Sequence, residues 1–236
     1  MKEKEEKKIE DGKEAGSAKE RLLDAATDIF GMYGYEAATT RMIAREAGVN
    51  IAAIPYYFGG KEGLYHALID HIVAMVQARI ADVQEELAEQ DLTGEGGCEK
   101  ACVLFERLLE GVIQFMVGSP EALRLSRIIL REQLYPSAAY EQIFTGFMKP
   151  ILDSLTDLIL IIVPDQTRRQ AKLRAMAIMG QVVVFRVARE TVVRALDMEG
   201  YSQDEMEEVK TTILEHTRAV LKGLREGQRE TDEGQL

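Results

Sequence analysis

An all-α fold is what this chain predicts, on three observations. Apolar residues recur at helical spacing along most of its length. Helix formers dominate the composition, with no tryptophan and only 5 prolines in 236 residues. The breaks between apolar stripes fall at glycine, proline or a residue suited to capping a helix. With 46% hydrophobic residues, the chain can bury one large core, or a small domain joined to a larger one.

Taken in order, residues 1–16 are a mixed lysine and glutamate run with almost nothing to bury, read as a disordered charged arm. The run has no apolar stretch behind it, unlike a signal or transit peptide, so a cytoplasmic protein is expected. From Ala18, the residues Leu22, Leu23, Ala26, Ile29, Phe30 and Tyr33 form a helical stripe that stops at Gly34, a natural left-handed cap. Thr39 or Thr40 caps a short second helix through Met42, Ile43, Ala44 and Ala47, closed by Gly48. Asn50 caps a third over 51–58. Two short helices around a glycine-containing turn, packed on a longer first helix, are the sequence form of a helix-turn-helix. Residues 17–62 are therefore expected to be a DNA-binding domain.

Gly59 and Gly60 break the pattern, and a long helix then runs from Lys61 through Leu64, Leu68, Ile72, Met75 and Ile80 to residue 87. A loop over 91–97 leads to another apolar helix ending at Val117. Ser119, Pro120 and Glu121 form a cap, a first-turn proline and a dipole-favoured acid, opening a helix that ends near Tyr135 and Pro136. Ser137 opens the next segment, which Pro150 should kink. Pro164 and Asp165 start a long helix reaching Met198. The order Ser202, Gln203, Asp204, Glu205 has the form of a capping box before a last helix to residue 226. Residues 63–227 are expected to form a second, larger helical domain, and 228–236 a frayed tail.

A formal net charge of −11 argues against a protein that coats nucleic acid, though a small reading head needs only a few well-aimed donors. Cys98 and Cys102 fall at i, i+4, which gives no disulfide framework and points to a reducing compartment. Packed or solvated thiols are the reading favoured over a metal or redox pair. No phosphate-cradling glycine loop, nucleophile elbow or zinc-spaced His/Cys set is present, so neither an enzyme nor a cofactor is expected. His66 and Asp70, at i, i+4, read as an ordinary solvated pair. The longest apolar run, 158–163, is too short to span a bilayer.

Between Ala18 and Tyr65 the residues Ala25-Ala26, Phe30, Tyr33-Gly34-Tyr35, Thr39-Thr40, Ile43-Ala44, Ala47-Gly48-Val49, Tyr57-Phe58, Lys61-Glu62 and Leu64-Tyr65 follow one another in kind and spacing. This stretch resembles the TetR family DNA-binding domain. The run 52–65, with 130–134 and 147–150, is similar to the CecR branch of that family. The resemblance implies about nine helices, a homodimer through the last two long helices, and a third helix that enters the major groove of a palindromic double-stranded operator. It also implies an effector cavity in each body, which makes residues 63–227 the effector-binding and dimerisation domain.

Ala52 and Ala53 are small enough to approach thymine methyls, while Asn50 either bonds a base edge or caps its helix. Thr39, Thr40, Arg41, Tyr56, Tyr57 and Lys61 supply hydroxyls or positive charge near phosphate. Pro55 stands where the family pattern has an aromatic residue; the helix should end early or tighten there, and which of Tyr56 and Tyr57 meets phosphate stays open. In the body, Phe105, Phe115, Met116, Phe144, Phe147, Met148, Met176, Met179 and Phe185 line a cavity or are plain core. Arg127, Arg131, Glu132, Gln133 and Arg186 are polar groups amid apolar helix, serving as ion pairs or orienting a hydrophobic or amphipathic effector. The competing reading is a helical ligand-binding dimer without DNA-binding activity.

Overall fold

The computed structural model describes the backbone of residues 2–92, 94–118 and 120–233 and the side chains of residues 18–92, 94–118 and 123–227. Among these residues every regular element is helical. Packing divides the chain into two compact units, one of Met1–Ala74 with Arg124–Ile143, the other of Met75–Leu123 with Phe144–Leu236.

In the first unit, α1 spans Lys2–Ala37 and so includes most of the charged arm. Lysine and glutamate are good helix formers; the side chains of that arm lie outside those described. Gly34 interrupts α1 at φ 79°, so the cap expected there appears as a break after which residues 35–37 resume the helix. α2 (Thr40–Ala47) is capped by Thr39, whose hydroxyl accepts from Met42 N at 3.2 Å, and closed by left-handed Gly48. α3 (Ala53–Phe58) starts two residues later than expected. Asn50 Oδ1 accepts from Ala52 N at 2.9 Å, which holds residues 51 and 52 in a turn.

Leu22, Ala26 and Phe30 of α1, Ile43 of α2 and Ile54 of α3 are buried together with Leu64, Leu68, Ile69 and Ile72 of α4 (Lys61–Glu89). This unit also takes residues 124–134 of α6 (Pro120–Leu134) and the short α7 (Tyr140–Ile143).

The second unit is a helical body. α5 (Gly97–Val117), α8 (Lys149–Ile162) and α9 (Arg168–Val187) pack on one another, and α11 (Gln203–Glu233) packs against all three. Pro150 does not kink its segment. It stands in the first turn of α8, after a π-helical stretch, Phe144–Met148. A proline leaves the carbonyl four residues before it without its usual donor and crowds it; here that carbonyl, Gly146 O, accepts from Gln77 Nε2 at 2.8 Å, and the widened turn absorbs the ring.

α9 opens at a capping box of Thr167 and Gln170, later than Pro164. It stops at Ala188, and a short α10 (Arg189–Ala195) follows, so one long helix to Met198 is replaced by two. The Ser202/Glu205 box is present, Glu205 N to Ser202 Oγ at 3.3 Å and Ser202 N to Glu205 Oε2 at 2.6 Å. α11 runs on past residue 226, and the side chains of the tail 228–236 lie outside those described.

Candidate nucleic-acid interface

The two short helices of the first unit each bury one side and expose the other. On α2, Ile43, Ala44 and Ala47 are buried while Arg41 and Arg45 are exposed. On α3, Ile54 is fully buried, and Ala52, Pro55 and Tyr56 stand on the opposite side, exposed. Pro55 is the third residue of α3, where a backbone N–H has no intrahelical acceptor, so its missing donor disturbs nothing and the helix continues to Phe58. Tyr56 is 80% exposed; its ring meets that of Tyr57 edge to face, at 4.8 Å. Tyr57 is half-buried and turns its other edge to Phe58 at 6.3 Å.

Each predicted residue takes a definite place. Thr39 is exposed with its hydroxyl engaged as a cap, and Thr40 is half-buried. Asn50 is exposed and its side-chain oxygen caps the turn, while Ala53 is half-buried beside exposed Ala52. Lys61 is half-buried, with Nζ 3.3 Å from Glu36 O and 4.5 Å from the Tyr35 ring centre. That ammonium anchors the start of α4 to the end of α1 and keeps two donor hydrogens for another acceptor. Exposed Arg45 on α2 and Ile51 in the turn before α3 were not singled out by the sequence, because a surface arginine and an isoleucine carry no signal until their side of the fold is known.

A polar network underlies this surface. Tyr65 donates to buried Glu132 at 2.6 Å, and the same carboxylate accepts from Ser137 N at 3.0 Å and Ser137 Oγ at 2.9 Å. Burial, then the hydrogen bond and charge of Glu132, push the Tyr65 hydroxyl well above its ordinary range. The Tyr65 ring lies 4.8 Å from Phe30 and 5.0 Å from Tyr35, so aromatic contacts run from Glu132 to the ring under Lys61.

Arg124 holds Asp28 with two bonds, 2.6 and 2.8 Å, and Asp24 at 2.8 Å. The Asp28 carboxylate, ahead of Asp24, keeps its guanidinium charged. Arg131 donates to Gly31 O at 3.2 Å and Met32 O at 2.7 Å, the carbonyls left open where α1 breaks at Gly34. His66 and Asp70 both bond Gln142 of α7 and are not a solvated pair.

The residues expected to line an effector cavity fall in both units. Arg127 and Arg131 belong to the first unit, Arg127 exposed and Arg131 bonded to α1. Phe105 and Phe115 are buried core, Phe115 against Phe147 at 6.5 Å. Arg186 is buried and donates to Leu123 O at 2.6 Å. Phe144, Met116, Met148 and Met179 are half-buried. Two cavities of the second unit have other walls, one of α5, α8 and α11 residues and one between the end of α5 and the start of α11. Among the described residues no group of three or more metal-ligating side chains occurs, and no helix is long and apolar enough to cross a membrane.

Residues 22–68 match the family described as bacterial regulatory proteins of the tetR family, and residues 101–224 match the C-terminal domain of the HTH-type transcriptional dual regulator CecR. The Shigella flexneri dual regulator CecR is 34% identical over 210 residues, 88% of this chain and 92% of its own. The Pseudomonas putida transcriptional regulator SrpR is 31% identical over 121 residues, 51% of this chain and 49% of its own. In structure, the hemolysin II transcriptional regulator HlyIIR superposes with a TM-score of 0.53 at 18% identity, over 84% of this chain and 97% of that one.

Proposed function

The chain belongs to the TetR family of transcriptional regulators, with a CecR-type C-terminal domain, and from that premise we propose that it represses transcription as a homodimer on a palindromic operator and is released by a small-molecule effector. The observation that carries the DNA-reading part is the outward side of α3, with Ala52, Pro55 and Tyr56 exposed opposite buried Ile54. Small side chains there allow close approach to base edges and thymine methyls, and Tyr56, unencumbered, is the tyrosine that donates to phosphate. Arg41, Arg45 and Lys61 supply the charge. Asn50, held in its turn through its side-chain oxygen, fixes the entry to α3.

Dimerisation is supported by α9, where Leu173, Met176, Val184 and Val187 are 47–59% exposed. With Ala177 and Gly180 they form one apolar stripe opposite buried Ala171, Ala175, Ile178 and Val182. On α11 the matching side is Thr212, His216, Ala219, Val220 and Gly223, small or flat enough for close packing. Residues Lys61–Ala74 of α4 belong to the first unit and its remainder to the second, so a ligand held in the second unit has a continuous helix through which to bias the head. A coupling of about 1–3 kcal/mol would change operator affinity roughly 5- to 150-fold.

Selection of random DNA by the full-length protein, repeated with Tyr56→Phe and Arg41→Ala, tests this reading. The expected result is an enriched palindrome bound more weakly by both variants, by a similar factor across sequences, with a salt dependence lowered for Arg41→Ala by about one unit of slope. Failure to enrich any sequence at low salt, from folded dimeric protein, would leave the helical ligand-binding dimer without DNA-binding activity, which the net charge of −11 favours.

A further inference from the structure

Thr217 of α11 has no exposed surface, and its hydroxyl has no hydrogen-bond partner. Buried hydroxyls are nearly always paired, and an unpaired one is destabilising. Thr217 lines a cavity of about 230 Å³ walled by α5, α8 and α11, and a second unpaired buried atom, Arg225 Nε, belongs to another lining residue. Both lie in the second unit.

The cavity has two chemical characters. Ile162, Leu221 and Cys102 give it apolar walls. Burial ahead of the neighbouring Cys98 pushes the Cys102 thiol up to about 11, so that wall is neutral. Arg218, Lys222 and Arg225 supply three positive charges against one lining carboxylate, Glu106. Glu106 is already held by both arms of Arg218, at 2.7 and 2.6 Å. Lys222 pairs with Glu226 at 3.8 Å, and Arg225 bonds the sulfur of Cys98 at 3.1 Å. Glu226, Glu99, Glu110 and Glu215 act on these cations from outside the lining, so the match to an anion rests on the two buried donors that lack acceptors, Thr217 Oγ1 and Arg225 Nε.

We propose that this cavity binds a small amphipathic organic anion, a short-chain or aromatic carboxylate, with its apolar body against Ile162, Leu221 and Cys102 and its carboxylate accepting from the Thr217 hydroxyl and the Arg225 guanidinium. The volume falls below the roughly 300–1,000 Å³ of drug-sized sites, which limits the occupant to a small molecule. The proposal rests on the reading that the second unit takes an effector, and it places the effector at the flank of α11, apart from the phenylalanine, methionine and arginine positions expected from sequence. Thr217 and Arg225 share that flank, while Thr212, His216 and Ala219 stand on the other side of the helix, so α11 offers one side to the anion and the other to a second copy.

Binding is measured by calorimetry on the full-length protein without DNA, using butyrate, hexanoate, octanoate and benzoate, with hexanamide as the uncharged counterpart. At least one carboxylate is expected to bind saturably and hexanamide at least about ten-fold more weakly. Arg225→Gln should weaken the carboxylate by about ten-fold or more. Thr217→Val should weaken it severalfold and raise the melting temperature of the free protein, because an unpaired hydroxyl is removed. As a readout independent of those variants, the same carboxylate should slow alkylation of Cys102 saturably in a Cys98→Ser chain. The proposal is overturned if no carboxylate binds saturably, if hexanamide binds equally, or if both variants retain full affinity. Carboxylate binding without operator binding removes the DNA-reading function alone; operator binding without carboxylate binding removes this proposal alone.

Discussion

Gly63 stands in the first turn of α4 where a methyl group would sit 1.8 Å from the carbonyl oxygen of Phe58. No side chain fits there unless the end of α3 and the start of α4 move apart. Gly63→Ala should therefore destabilise the first unit by about 1–3 kcal/mol, seen in urea unfolding, and weaken DNA binding through α3 without touching a contact residue. Unchanged stability would show that the α3–α4 turn gives way freely. Tyr65→Phe tests a different cost. Glu132 is 3% exposed and loses its 2.6 Å donor in that variant, which should remove about 1.5–3 kcal/mol. Ser137 cannot replace it, since its N–H and hydroxyl already serve the same carboxylate. A loss no larger than that of a solvated tyrosine would mean that the carboxylate is met by other groups.

Elements whose cause is local were legible in the sequence, and those with a distant cause were not. Thr39, Gly48 and the Ser202/Glu205 box act within four residues, so their chemistry is visible in a short window. The π-helical turn before Pro150 depends on Gln77, 69 residues away from Gly146, and no window contains both. Pro55 misled because its effect depends on where α3 begins, which Asn50 delays by holding residues 51 and 52 in a turn. The contact between α8 and α9 carries a pH dependence of its own. Lys149 at 2.8 Å and Lys172 at 2.7 Å bond Asp153 and hold its carboxyl below the ordinary carboxylate range. A depressed folded-state pKa gives stability that is present above the unfolded value near 4 and lost as pH falls through the folded one. Asp153→Asn should therefore flatten the acid limb of a stability-against-pH curve below about pH 4 and lower stability at neutrality; an unaltered acid limb would show that water screens the cluster fully.

For the whole molecule, the stripe on α9 predicts association. Met176→Glu with Val184→Glu should turn a dimer into a folded monomer in sedimentation, because two buried carboxylates per chain would face their copies without partners. A dimer that survives both would place the interface elsewhere. The candidate DNA-reading surface could be proposed from sequence because its chemistry lies within residues 39–61, whereas the cavity proposed for the anion could not. Its Thr217, Arg225 and Ile162 come from well-separated positions, and each resembles ordinary helix until the cavity between them is seen. The bonds of Arg124 to Asp24 and Asp28, and of Arg131 to the broken end of α1, carry a consequence for modularity. Segment Arg124–Ile143 is part of the reading head's own structure although it is encoded far from it. A crossover placed just after residue 62 would part the N-terminal segment of the first unit from the segment that clamps it, so chimeras with relatives should fold better when both segments travel together.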